Sequence, residues 1–150
     1  MNTKTQNLKS IFLLDDDPFC LEMYEKHIRN MGVEEVKLFD DSQDFINQLM
    51  FEPDAVIIDH SMKPFNGLEV LKKIKRQNPD LPVIYLSAQK DMKTAVDAPK
   101  FGAFDYIIKD ENDLDHLTEV LVRLNGYLQE IRLKRKRSFV GILSSISKMF

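Results

Sequence analysis

The chain has 150 residues, of which 43% are hydrophobic and 30% are charged, and its formal net charge is −3. This length and balance are typical of one globular domain with a proper core. No apolar stretch approaches the roughly 18 residues of a membrane-spanning helix, the N-terminus is too polar for a signal peptide, and a single cysteine excludes an internal disulfide.

These exclusions favour a cytoplasmic location. Cys20 is expected to be a small buried side chain on the first helix. The charge is unevenly distributed, since residues 1–131 carry 15 basic and 24 acidic residues, a net charge of −9, whereas the remainder carries six basic residues and no acidic ones. An acidic body with a basic tail is therefore predicted.

Short apolar runs alternate with helical patterns along the chain. The runs predict strands at residues 10–14, 35–39, 55–58, 82–86 and 105–108. Caps and apolar spacing predict helices from Asp17-Pro18 to Gly32, from Asp41 or Ser42 to before Pro53, over 67–77, over 91–101 with Pro99 weakening the last turn, and from Asn112 or Asp113 to Leu124. The first helix is expected to turn an apolar side containing Phe19, Met23, Ile28 and Met31 towards the core.

This strict alternation predicts an α/β fold, (βα)5, in which a doubly wound parallel sheet is covered by helices on both faces. Asn125-Gly126 is a natural end for the fifth helix. We therefore expect a domain at residues 1–126, followed by a basic, amphipathic helical extension at 127–150.

Polar side chains stand at the ends of four of the predicted strands. They are Asp15 and Asp16, Asp59, Ser87 and Lys109. Because ligands bind at the carboxyl ends of parallel strands, we expect all five to share one site. Clustered carboxylates repel one another unless a cation joins them, and hard oxygen ligands of this kind suit Mg²⁺. A lysine and a hydroxyl beside them are suited to phosphoryl transfer to an aspartate.

The segments LLDDDP, AVIIDHSMKPFNG, YLSA and GAFDYIIK together resemble a response-regulator receiver domain, the phospho-acceptor module of two-component signalling, over residues 10–125. The resemblance is to the stand-alone, chemotaxis-regulator-like type, and it implies a flavodoxin-like strand order of 2-1-3-4-5. It also implies a role for each matching residue: Asp59 is the phospho-acceptor, Asp15, Asp16, Asp59 and the Ser61 carbonyl hold Mg²⁺, Ser87 and Lys109 contact the phosphoryl group, and Ser87 and Tyr106 form the switch.

Two positions depart from the family pattern. Asp110 follows Lys109 where the family usually has a proline, so we expect a trans bond there and a carboxylate able to pair with Lys109. Lys63 stands where a proline is usual, with Pro64 one place later, so the loop beside the metal site is expected to be reshaped.

The resemblance implies a histidine kinase or phosphotransfer protein as phosphoryl donor and a downstream protein as target, with no enzymatic activity beyond self-catalysed phosphoryl transfer and autodephosphorylation. Alternatives are an aspartate-nucleophile, Mg²⁺-dependent phosphatase of the haloacid-dehalogenase type and a phosphorylation-independent binding scaffold. A nucleotide-binding domain is disfavoured because no glycine-rich fingerprint follows the first strand.

The tail leaves several interpretations open. RLKRKR followed by SFVGILSSISKMF is suited to a partner's groove, to docking on its own domain or, less strongly, to contact of residues 132–150 with an anionic membrane surface. The series Leu117, Leu121, Leu124, Leu128 and Ile131 indicates a continuous helix and a homodimer, although Arg135 and Ser138 interrupt it. Direct DNA binding is not expected, because the basic run is short and lacks interleaved aromatic residues.

Overall fold

The fold was determined from a computed structural model that describes residues 7–88 and 92–149, together with the backbone but not the side chain of Met92. Its strands are β1 (Ser10–Leu14), β2 (Glu35–Phe39), β3 (Ala55–Asp59), β4 (Val83–Ser87) and β5 (Asp105–Ile108). Its helices are α1 (Pro18–Asn30), α2 (Ser42–Gln48), α3 (Gly67–Gln77), α4 (Met92–Lys100) and α5 (Asp113–Met149), with a 3-10 turn at Leu49–Phe51 after α2.

The five strands form one parallel sheet in the order β2-β1-β3-β4-β5, as predicted. Helices α1 and α5 cover one face, where Ile11 and Leu13 of β1 are buried. Helices α2, α3 and α4 cover the other face, where Phe12 and Leu14 point. Alternate residues of the same strand are thus buried on opposite sides, which is why the central strands β1, β3 and β4 are almost continuously apolar.

Local signals in the sequence start the helices. The Asp17 carboxylate accepts a hydrogen bond from the Phe19 backbone at 2.9 Å, and Pro18 occupies the first turn of α1. Asp41 caps α2 in the same way. Asn66 and Glu69 form a capping box at the start of α3. That box fixes the end of the loop that follows β3.

The predicted boundaries and faces need some corrections. Strands β3 and β4 each extend one residue beyond the predicted end, to Asp59 and Ser87, and the start of the fourth helix predicted at Asp91 lies outside the described residues. Phe19 is exposed, because α1 buries Leu21, Tyr24 and Ile28 on the opposite side of the helix. Cys20 is only half-buried. It packs against the core with its Sγ 3.5 Å from a carboxylate oxygen of Asp17, and burial raises its pKa to about 11.

The prediction that α5 ends at Asn125-Gly126 is wrong, whereas the continuous helix indicated by the series from Leu117 to Ile131 is confirmed. The helix continues through Gly126 to Met149, because Leu124 and Leu128 are both buried on the same face one turn apart. Burial of a leucine contributes about 1.5–3 kcal/mol, more than the roughly 1 kcal/mol that a glycine costs inside a helix. Within the described residues, no helix is long and apolar enough to cross a bilayer.

Contacts after Gly126 fasten α5 to the base of the sheet. The Tyr127 ring lies against Phe104, with centroids 5.6 Å apart. The Arg132 guanidinium donates to an Asp54 carboxylate oxygen at 2.7 Å and to the Asn7 carbonyl. The same carboxylate accepts from the backbone amides of Lys9 and Ser10. Helix α5 is therefore anchored to the body as far as Arg132.

A buried tyrosine–aspartate bond joins α1 to the start of α5. The Tyr24 hydroxyl donates to the Asp113 carboxylate at 2.6 Å, and both side chains are buried. Tyr24→Phe is expected to lower the free energy of unfolding by about 1–3 kcal/mol, because it leaves a buried carboxylate without that donor. Urea unfolding monitored by circular dichroism measures the change. Tyr127→Phe, at a tyrosine that is 45% exposed, is the matched control, and equal midpoints for the two variants would contradict the prediction.

Candidate phosphoryl-acceptor site

Three carboxylates gather at the carboxyl end of the sheet. Asp15 follows β1 and is fully buried, with its backbone amide donating to the Phe39 carbonyl of β2 at 3.0 Å. Asp59 is the last residue of β3 and is also buried, whereas Asp16 is exposed. One carboxylate oxygen from each of the three lies within 4.8 Å of the other two. The neighbouring strands β1 and β3 therefore create a concentrated negative charge at their common end.

Lys109 supplies the positive charge beside this cluster. Its Nζ lies 2.5 Å from an Asp15 oxygen and 2.9 Å from an Asp59 oxygen. The lysine follows β5, and its backbone amide donates to the Ser87 carbonyl of β4 at 2.9 Å. Burial by itself would lower the pKa of Lys109, but hydrogen bonds to the two aspartates outweigh burial and raise it. The side chain is therefore charged at physiological pH.

Burial acts in the opposite direction on Asp15. Loss of water around the carboxylate raises the pKa of Asp15, although the hydrogen bonds from Lys109 and from the Asp17 amide oppose the rise. Negative charge on Asp15 is thus held at a free-energy cost, which a second cation beside the carboxylate would offset.

The remaining predicted residues lie around the cluster. Ser87 is buried at the end of β4, one residue beyond the partner of Asp59 in the β-ladder. The Ser61 backbone amide donates to the second carboxylate oxygen of Asp59 at 3.1 Å. Tyr106 is half-buried on β5, and its ring stacks on that of Tyr85, with centroids 5.9 Å apart and planes 15° apart.

A histidine–tyrosine pair beside the site was not predicted from the sequence. His60 follows Asp59 directly, and its Nδ1 forms a hydrogen bond with the buried Tyr85 hydroxyl. Burial, with the Asp59 charge nearby, raises the pKa of Tyr85 above the physiological range, so the hydroxyl stays protonated. Because Tyr85 also stacks on Tyr106, one row of rings connects the residue after Asp59 with β5. The only sequence signal for it was a polar aromatic residue in an otherwise aliphatic strand.

The loop after β3 is tied down at several points. The Phe65 amide donates to the Ser42 hydroxyl at 2.9 Å, and the Ser42 amide donates to the Lys63 carbonyl at 3.1 Å. The Gly67 amide donates to the His60 carbonyl at 2.8 Å. The bond between Lys63 and Pro64 is cis.

Asp110, whose carboxylate could have paired with Lys109, has a different hydrogen-bond partner. The Lys109–Asp110 peptide bond is trans, as expected, but the Asp110 carboxylate accepts from the Asn112 amide at 2.8 Å in the turn before α5. Lys109 reaches Asp15 and Asp59 instead. The missing proline therefore leaves the lysine beside the acidic cluster.

Comparison with known proteins identifies the architecture. The family model described as response regulator receiver domain matches residues 11–122. The chain belongs to this family. As a receiver domain it is part of two-component signalling and is a phospho-acceptor module, and the comparisons do not favour the phosphatase alternative.

Curated relatives agree with this assignment. The receiver domain is 33% identical over 141 residues to the DNA-binding transcriptional regulator NtrC of Proteus hauseri, which covers 93% of this chain and 29% of the relative. It is 30% identical over 136 residues to the regulatory protein AtoC of Escherichia coli K12, covering 83% of this chain and 28% of the relative. The chain thus spans less than a third of the length of these relatives.

Solved structures share the fold. A receiver domain protein from Clostridium thermocellum superposes with a TM-score of 0.76 at 25% identity, covering 83% of this chain and 99% of that one. The apo receiver domain of nitrogen regulatory protein C gives 0.72 at 30% identity over 83% and 99% of the two chains. Response regulator TrrA from Thermotoga maritima, solved in complex with Mg²⁺-BeF, gives 0.70 at 26% identity over 77% and 98%.

Receiver domains bind Mg²⁺ at an acidic pocket, and the donor set here fits such an ion. The three carboxylates of Asp15, Asp16 and Asp59 supply hard oxygen atoms within 4.8 Å of one another. One of the three is exposed, which suits an ion that keeps several water ligands.

Proposed function

We propose that Asp59 receives a phosphoryl group from a phosphohistidine of a sensor histidine kinase or phosphotransfer protein. The single observation that carries the proposal is the contact of the Asp59 carboxylate with Lys109 at 2.9 Å, beside Asp15 and Asp16. This arrangement supplies a nucleophile at a strand end and a fixed positive charge next to it.

The transfer is a displacement at phosphorus. An oxygen of the Asp59 carboxylate attacks the phosphorus atom, a P–O bond forms, and the P–N bond of the phosphohistidine breaks with its electron pair leaving on the imidazole. Lys109 stabilises the charge that spreads over the phosphoryl oxygens. The Ser87 hydroxyl donates to another of these oxygens.

Asp15, Asp16, Asp59 and the Ser61 carbonyl hold Mg²⁺ in this proposal. The ion, when bound, neutralises the carboxylates and the phosphoryl oxygens during transfer. The protein residues position the acceptor and the charges around it, which is most of what phosphoryl transfer requires.

The phosphorylation signal passes from the acceptor site to the protein surface through Ser87 and Tyr106. Phosphorylation draws Ser87 towards the new phosphoryl oxygens, and Tyr106 on β5 then changes its packing against Tyr85. A downstream protein reads the surface formed by α4, β5 and α5. Under this proposal the receiver domain occupies residues 1–126, and residues 127–150 form an extension. The protein acts in the cytoplasm and has no enzymatic activity on a separate substrate.

The test is intact-mass spectrometry after incubation with acetyl phosphate and Mg²⁺. The wild type is expected to gain one phosphoryl group and Asp59→Asn none. Asp80→Asn, at an exposed carboxylate near the other end of the sheet, is the matched control and should be labelled like the wild type. Equal labelling of the Asp59 variant would reject the proposal. An unlabelled wild type would favour the scaffold, and steady release of phosphate from p-nitrophenyl phosphate would favour a phosphatase.

The variant Asp15→Asn tests the contribution of Asp15 to Mg²⁺ binding separately from its contribution to folding stability. Because burial raises the pKa of Asp15, the folded protein binds a proton more tightly than the unfolded chain does. The charged carboxylate therefore lowers the free energy of unfolding at neutral pH, and this destabilisation disappears as the pH falls and Asp15 becomes protonated. In EDTA the variant is expected to unfold at the wild-type temperature or above it, since Lys109 keeps its contact with Asp59.

Mg²⁺ should then distinguish the two proteins. Thermal unfolding of the wild type is expected to shift upwards with millimolar Mg²⁺, as binding to the native state requires, and the shift should be largely lost in Asp15→Asn. Asp80→Asn is again the control. A variant that responds to Mg²⁺ as the wild type does would remove Asp15 from the proposed ligand set.

A further inference from the structure

The last part of α5 projects from the body, and no other element of residues 7–88 and 92–149 covers it. After Leu128 no residue of the helix is buried, and all residues of 132–149 are exposed. Arg132, at the start of this part, is hydrogen-bonded to Asn7 and Asp54 of the body. From there to Met149 the helix extends about 26 Å at 1.5 Å per residue.

This projecting segment has two parts. Five of the six residues 132–137 are basic, and we call them the basic collar. Beyond the collar an apolar face follows helical spacing and consists of Phe139, Ile142, Leu143, Ile146 and Met149. Phe139 is 62% exposed and Met149 is 80% exposed.

The other side of the segment is mildly polar. Gly141, Ser144 and Lys148 lie there, and the Ser145 hydroxyl donates to the Gly141 carbonyl at 3.0 Å. That bond satisfies the hydroxyl within the helix and reduces the cost of removing it from water. A segment of this kind is suited to lying in an interface between water and an apolar phase.

A second copy of the chain is a poor occupant of the apolar face. A parallel helix pair would bring two basic collars together, and no acidic residue follows Glu130 to neutralise them. The heptad positions that continue the series from Leu128 and Ile131 are Arg135 and Ser138, which are polar.

The arrangement of charges in the basic collar favours a lipid surface over an acidic protein as the partner. Lys134, Arg135, Lys136 and Arg137 are consecutive, so their side chains leave the helix about 100° apart and surround it. One face of a protein partner would meet only part of this ring. A layer of lipid headgroups can contact all four basic side chains, because long Lys and Arg side chains extend along the helix surface until their charged ends reach phosphates.

We propose that the projecting segment binds the surface of an anionic lipid bilayer, with the apolar face at the acyl boundary and the basic collar among the phosphates. Four to eight basic residues on an amphipathic helix are typical of binding to acidic lipids. The body carries a net charge of −9, so its repulsion by acidic lipids opposes the attraction of the collar, and salt screens both effects over a Debye length of about 8–10 Å.

Vesicle co-sedimentation with the full chain tests this proposal, using phosphatidylcholine vesicles with and without phosphatidylglycerol. The wild type is expected to pellet with the anionic vesicles and to be released at about 0.5 M salt. Lys136→Gln with Arg137→Gln should weaken binding at least about tenfold. The control, Lys26→Gln with Arg76→Gln, removes the same charge from exposed sites on the body and should bind like the wild type.

A second pair of variants tests the apolar face. Ile142→Gln with Ile146→Gln should abolish most binding, whereas Ser144→Gln with Ser147→Gln, off that face, should not. Labelling by acetyl phosphate checks the body of each variant independently. Equal pelleting with neutral vesicles, or no effect of either set, would overturn the proposal. An absence of vesicle binding would also overturn it. If the wild type then dimerised in sedimentation velocity, and the isoleucine variants did not, the apolar face would be assigned to a second copy of the chain.

Discussion

Lys109→Met is expected to lower the free energy of unfolding by about 2–4 kcal/mol in EDTA. The Lys109 Nζ lies 2.5 Å from Asp15 and 2.9 Å from Asp59, and both carboxylates are buried. Without the ammonium group, two buried negative charges would face each other with no cation between them. Urea unfolding at constant pH measures the loss. Lys26→Met, at an exposed site on α1, is the control and should change little.

Mg²⁺ and phosphorylation give two further measurements on the same variant. Mg²⁺ supplies positive charge to the same carboxylates, so the stability difference between Lys109→Met and the wild type should narrow in its presence. Labelling of Asp59 by acetyl phosphate should slow by about a hundredfold, because one fixed charge on the phosphoryl oxygens is lost. A variant as stable as the wild type in EDTA would show that Lys109 does not hold the two carboxylates together.

Much of the fold follows from short-range patterns. The central strands β1, β3 and β4 are almost continuously apolar because both sheet faces are covered, and this pattern is visible in the sequence. Asp17 and Asp41 cap their helices by bonds to amides two residues away, so local sequence is sufficient. The ends of β3 and β4 are harder to predict. Ladder pairs such as Asp59 with Leu86 and Ser87 with Ile108 extend the strands into polar residues.

The features that sequence analysis missed depend on distant parts of the chain. Asn-Gly is a stop signal for a helix, but α5 passes through it because Leu128 packs on the sheet and Arg132 pairs with Asp54, 78 residues away. His60 and Tyr85 are 25 residues apart and meet only because β3 and β4 are neighbours.

Site chemistry was more predictable than side-chain pairing. The strand ends that carry Asp15, Asp59 and Lys109 lie along the same edge of any parallel sheet of this order. The choice of partner was not predictable, because Asp110 and Asp15 both offer a carboxylate to Lys109. The Asp110 carboxylate accepts a hydrogen bond in the turn before α5, and the ammonium group contacts Asp15 and Asp59.

Gly67→Ala is expected to be the most damaging small substitution near the site. A Cβ on Gly67 would lie 2.4 Å from the Asp59 carbonyl oxygen, 2.8 Å from the Tyr85 hydroxyl and 2.9 Å from the His60 Cα. Two of these atoms belong to the backbone, so no side-chain rotation relieves the contact. We expect a loss of about 3 kcal/mol in the free energy of unfolding, at the upper end of the cost of overpacking.

Gly126→Ala is the matched control for this substitution. No atom lies within 4 Å of a Cβ at Gly126, which is inside α5, so alanine should stabilise the helix by about 0.5–1 kcal/mol. If the same Gly→Ala change lowers the free energy of unfolding at position 67 and raises it at position 126, close packing is the reason that Gly67 does not tolerate a side chain. Because the clash falls on the Asp59 and His60 backbone, labelling by acetyl phosphate should also slow in Gly67→Ala and stay unchanged in Gly126→Ala. A Gly67→Ala protein that unfolds and labels like the wild type would mean that α3 moves away from β3 at little cost, and the loop would then not hold the acceptor in place.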